Sequence, residues 1–145
     1  MLFISHRGNL IGSQPELENS EAYIIKALES GFEVEIDVWF KDNEIFLGHD
    51  QPTYQTSLDF LNNYKSKLWI HCKNLEALNF LLGQVGFNFF WHETDDYALT
   101  SKGFIWTFPK QPISEKNILV VRGQIKKEDL PNCFGVCSDY VKSLK

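Results

Sequence analysis

Short apolar runs that end in polar, reactive side chains recur along this chain. Residues 2–5 lead into His6-Arg7-Gly8, and residues 44–47 into Gly48-His49-Asp50. Residues 67–70 lead into His71-Cys72-Lys73, and residues 87–91 into His92-Glu93. Further runs cover 103–107, 117–121 (followed by Arg122-Gly123) and 134–137 (followed by Ser138-Asp139-Tyr140). The run at 32–38 alternates strictly, with Glu33, Glu35 and Asp37 between Phe32, Val34, Ile36 and Val38. These eight runs predict strands.

Helical spacing appears between some of them. Residues 19–30 carry Ala22, Ile25 and Leu28, with Gly31 as a stop. Residues 57–64 follow a capping Ser57, and residues 74–82 follow a capping Asn74, with Leu75, Leu78 and Leu82 on one face. Later connections are too short for comparable helices, and the Asp42-Asn43 link is shorter still.

Strand alternating with helix points to a parallel α/β sheet, in which ligands bind beyond the carboxyl ends of strands. All four histidines sit at or just past such ends. Glu35 and Asp37 are two apart and so share a face, while Val34, Ile36 and Val38 face packing helices. Acids inside and apolar residues outside suit a small closed barrel. Two carboxylates so placed repel unless a proton or cation joins them, and a hard divalent ion answers that need.

Bulk properties narrow the function. The 145 residues fit one domain, 1–145, and a 43% hydrophobic, 14% aromatic composition supports a packed core. A net charge of −5 argues against a nonspecific nucleic-acid partner. There are only two arginines, Arg7 and Arg122. The three cysteines lack zinc-ligand spacing, and neither a signal peptide nor a membrane span is apparent, so a cytoplasmic chain without stable membrane insertion is expected. Cys72 should face away from its flanking residues and act as inert packing.

The ordered set Ile4-Ser5-His6-Arg7-Gly8, Glu18-Asn19-Ser20, Glu35-Ile36-Asp37-Val38, Gly48-His49-Asp50 and Ser138-Asp139-Tyr140 resembles the glycerophosphodiester phosphodiesterase family, within the phospholipase C-like phosphodiesterase barrels. The resemblance implies an α/β fold, a compact (β/α)8 TIM-type barrel with several outer helices reduced or missing. It implies a metal-dependent phosphodiesterase of lipid metabolism that cleaves a small phosphodiester. His6 and His49 would be the acid–base pair, Glu35 and Asp37 metal ligands, and Arg7 a phosphate contact supported by Glu18. Lys73 would be a second phosphate contact. Two departures stand out. His71 occupies the place of an acidic ligand on the fourth strand, which makes Glu35, Asp37 and His71 the expected set for a divalent ion (Mg, Mn or Ca), its reduced ligand charge favouring a borderline metal over calcium. The chain is also far shorter than the roughly 250 residues of an ordinary barrel. Missing helices would bare an apolar wall that a homo-oligomer covers.

His71 has a second reading, as a neutral histidine satisfied inside the fold. His92, Trp106 and Asp139 are expected to line the pocket. The alternative for the whole chain is a non-catalytic phosphate- or headgroup-binding barrel derived from such enzymes.

Overall fold

Each of the eight apolar runs contains a strand in the computed structural model, which describes residues 1–145. These are β1 (Leu2–His6), β2 (Glu33–Lys41), β3 (Glu44–Leu47), β5 (Leu68–Cys72), β6 (Asn88–Phe90), β8 (Ile105–Thr107), β9 (Asn117–Val121) and β10 (Gly135–Ser138). Two short strands join them, β4 (Tyr54–Thr56) and β7 (Tyr97–Leu99). The helices are α1 (Glu21–Glu29), α2 (Leu58–Tyr64) and α3 (Leu75–Leu82). Ser57 and Asn74 cap α2 and α3, their side-chain oxygens accepting from the backbone N–H groups of Phe60 and Ala77. Gly31, with φ of +83°, stands just beyond the end of α1.

The buried helix faces differ from those expected. Helix α1 buries Ile24, Ala27 and Leu28. Helix α3 packs through Ala77 and Leu81, leaving Leu75 and Leu82 54% and 65% exposed. That face of α3 packs against β2 and β5.

Seven strands pair in parallel in the order β6-β5-β2-β1-β10-β9-β8. Strand β7 adds antiparallel to β8, and β3 and β4 form an antiparallel extension on the far end of β2. The result is a curled mixed sheet of ten strands with three helices, which overturns the expected (β/α)8 TIM-type barrel. One cause is Asp42-Asn43, whose φ values of +52° and +61° reverse the chain in two residues. Such a turn makes an antiparallel hairpin, so the third run cannot enter a parallel ring. The other cause is length: beyond β6 no α-helix follows any strand. No ladder joins β6 to β7; the edges meet through Ser101, whose backbone N–H donates to the Phe89 carbonyl at 2.8 Å.

The sheet has two apolar faces. Outside, Val34, Ile36, Val38 and Ile70 pack under Ile24, Leu28, Leu61 and Leu81 from the helices. Burying each such side chain fully contributes about 1.5–3 kcal/mol. The outer face of β9 and β10 carries Leu119 and Val136, covered by Ile113, Ile125, Leu130 and Leu144 from connecting segments and the C-terminal turn. These segments cover the outer face of β9 and β10 in place of helices. The inner face holds Ile4, Trp69, Phe90, Trp106, Ile118, Val120 and Cys137. No helix is long and apolar enough to cross a membrane.

Candidate active site

The inner apolar residues form a floor, and the polar residues stand one step above it. Side chains two apart along an extended strand share a face. Two positions beyond Ile4, Trp69, Phe90, Trp106, Val120 and Cys137 come His6, His71, His92, Phe108, Arg122 and Asp139. Strand β2 places Asp37 two beyond Glu35, in register with His71. The chain returning from β3 supplies His49, because the Gly48 N–H donates to the Asp37 carbonyl at 3.2 Å. A slot of about 40 Å³ at this level is lined by all four histidines, both arginines and Glu35, with Trp106, Phe108 and Val120 as apolar wall. A polar groove of about 340 Å³ adjoins it and shares Arg7 and His49. The largest concavity, about 790 Å³ beside Ile11 and Ile125, contains no histidine, so chemistry rather than size locates the site.

Asp37 is the hub. It is fully buried, and four side chains surround its carboxylate. His71 Nδ1 donates to Oδ1 at 3.0 Å, and Lys73 Nζ lies 3.6 Å from the same oxygen. Asn19 Nδ2 donates to Oδ2 at 2.9 Å, and Arg7 Nε stands 3.0 Å from Oδ2. That last contact is an ion pair, because the Nε–H is not aimed at the oxygen. Burial opposes ionisation of Asp37, but the His71 hydrogen bond and the charges of Arg7, His71 and Lys73 hold its pKa well below the usual range.

Glu35 is its opposite. Oε2 is buried with no hydrogen-bond partner, and His6 Nε2 stands 3.9 Å away. Burial, then the charge of Asp37, raise its pKa. A carboxyl so placed needs a proton or a cation.

Each of two histidines has one nitrogen tied to an aspartate. His6 Nδ1 donates to Asp139 Oδ1 at 2.7 Å, and Asn9 Nδ2 donates to the same oxygen at 2.8 Å. Burial would raise the Asp139 pKa, but the His6 hydrogen bond and charge outweigh it, so Asp139 stays ionised. His49 Nδ1 donates to Asp50 Oδ1 at 2.7 Å. Burial, with Arg7 and Lys73 nearby, lowers the His49 pKa against the pull of Asp37 and Asp50. His92 stacks on His71 at 4.4 Å; burial and the His71 charge bring its pKa down to about 4.

Of the residues singled out in the sequence, His6, Arg7, Glu35, His49, His71, His92 and Trp106 meet at the slot. Asp37 and Asp139 support it from behind, and Glu18 accepts from Arg7 Nη1, Asn9 Nδ2 and Ser13 Oγ at 3.2, 2.8 and 2.6 Å. Lys73 is brought to Asp37 rather than to the slot wall. Cys72 is buried in the outer core, where burial pushes its thiol up to about 12. Four contributors were missed: Arg122, Phe108, Asn9 and Asn19. Arg122 follows an apolar run just as His6 and His71 do, so the same positional signal was available.

The ligating atoms of Glu35, Asp37 and His71 lie within 4.8 Å of one another. Two carboxylates and an imidazole suit a hard-to-borderline divalent ion, and the partnerless Glu35 Oε2 has a lone pair to give. Asp37 fits less simply. His71 Nδ1 and Asn19 Nδ2 each donate to one of its oxygens, and Arg7 and Lys73 crowd them at 3.0 and 3.6 Å, so a cation shared by Asp37 and His71 Nδ1 would have to replace the hydrogen bond between them.

No protein-family model matches the chain, no curated protein matches it, and no solved structure matches it.

Proposed function

We propose that the chain is a phosphodiesterase acting on a small phosphodiester, with His6 and His49 as the acid–base pair and a divalent ion held by Glu35, Asp37 and His71. The carrying observation is that four histidines, two arginines and a partnerless buried glutamate line one slot. The family resemblance of the ordered motifs supports the same reading.

The Nδ1–H bonds to Asp139 and Asp50 leave Nε2 of His6 and of His49 free to take or give a proton. His49, kept neutral by its lowered pKa, suits the base that activates the attacking hydroxyl. His6, between the carboxyl groups of Asp139 and Glu35, suits the acid that protonates the leaving oxygen. When bound, the divalent ion polarises the phosphoryl oxygens. Arg7 lines both slot and groove and bears on the same anion. A slot of about 40 Å³ takes little more than the phosphoryl group, which leaves the groove for the alcohol.

The test is turnover of bis(p-nitrophenyl) phosphate and of glycerophosphocholine with Mg, Mn or Ca. Glu35→Ala and His6→Ala should each abolish it, and activity surviving both changes would sink the reading. The crowding of Asp37 by four protein groups favours a second reading, a phosphate- or headgroup-binding protein without catalysis. That reading predicts thermal stabilisation by glycerophosphocholine with no turnover.

A further inference from the structure

We infer that Arg122 is a ligand-binding residue of the slot, its guanidinium gripping the phosphoryl oxygens of the bound phosphate ester. The ligand class rests on the phosphodiesterase reading; the assignment of Arg122 rests on three features of its own.

The first is residue usage. The chain has two arginines, both line the slot, and every other basic side chain apart from histidine is a lysine. A guanidinium offers a planar fork matched to phosphate, whereas lysine serves solubility equally well. The concentration of both forks at one 40 Å³ slot is what recognition of an oxyanion requires.

The second is position. Val120 and Arg122 line the slot together, while Val121 between them packs on the outer face. In register, Val121 lies beside Ser138 and Ser138 beside Ser5. The next residues along the three strands are therefore Arg122, Asp139 and His6. Arg122 stands in the row that supplies the catalytic imidazole.

The third is charge. Arg7 is committed to Asp37 at 3.0 Å and Glu18 at 3.2 Å, and Lys73 to Asp37 at 3.6 Å. The Arg122 guanidinium makes neither an ion pair nor a hydrogen bond with any protein group. Among the arginines and lysine around this site, it alone holds a positive charge that no carboxylate has claimed. Arg122 is solvent-exposed and lines the slot beside Trp106 and Phe108, so an entering anion can reach its unanswered charge directly.

Because there are only two arginines, the protein labelled with nitrogen-15 gives two arginine Nε–H signals, and Arg122→Lys identifies one by its loss. Inorganic phosphate and dimethyl phosphate are titrated separately at matched ionic strength. Saturable movement of the Arg122 signal is expected. Arg122→Ala should weaken binding by about tenfold or more, since a hydrogen bond to a charged group is at stake, with Arg122→Lys intermediate. The exposed Lys102→Ala serves as a control and should bind as the parent does. If the parent binds phosphate while the Arg122 signal stays still and Arg122→Ala keeps full affinity, the inference is overturned and the phosphodiesterase reading survives. If the parent binds neither probe, both are overturned.

Discussion

Asp139 shows how one side chain decides what another can do. Its ionised oxygen takes the Nδ1 proton of His6 and thereby holds Nε2 toward Glu35, where the second proton of the proposed acid would sit. In Asp139→Asn the amide can present an N–H instead, and the imidazole then turns or changes tautomer. Turnover should fall by about 10²- to 10⁴-fold with the fold intact, read by steady-state kinetics beside circular dichroism. His92 gives a different signature. Its pKa is lowered from 6.5 to about 4, so the neutral form is the one folding favours. The stability it contributes is full above the unfolded value near 6.5 and is lost as pH falls toward 4. Urea denaturation from pH 7 down to about 4 should show that decline in the parent and a shallower one in His92→Gln.

The hairpin of β2 and β3 carries His49 to the slot, and its far end depends on Gly48. Gly48 has φ of +149°, and a Cβ there would overlap the Gln51 carbonyl oxygen. Gly48→Ala should cost about 1–3 kcal/mol of stability, measured by denaturation, and lower turnover as His49 shifts. This hairpin also marks where reading the sequence stopped short. The local signals were sound: short apolar runs marked eight strands, and Ser57 and Asn74 marked two helix starts. The short Asp42-Asn43 link is a reversal rather than a crossover because both residues take positive φ, which its length alone does not dictate. Strands β4 and β7 escaped because three residues each are too few for a period, and their pairing is fixed by neighbours distant in sequence. The site was more legible than the sheet, since His6 and His71 directly follow an apolar run and His49 and Asp139 come one residue later. Asn19 was visible only as part of a motif. Its role needs the fold, which sets it at φ of +65° to donate to Asp37 and to accept the Asp37 backbone N–H.

At the scale of the molecule, the buried charges are balanced everywhere except at Glu35. With a chelator present, Glu35→Gln should be at least as stable as the parent at neutral pH, because a carboxyl whose folded pKa is raised loses its contribution as pH rises. With manganese added, the parent's Tm should climb while that of Glu35→Gln stays put, and differential scanning calorimetry compares the two directly. Equal responses would remove Glu35 from the ligand set. The offset of two residues between floor and rim has a broader meaning for how such a protein can change. Cohesion resides in Ile4, Trp69, Phe90 and Cys137, while the polar side chains of the slot stand one step above them. Exchanging such a polar side chain leaves its foundation untouched, so new ligand preferences can be installed strand by strand on an unaltered base.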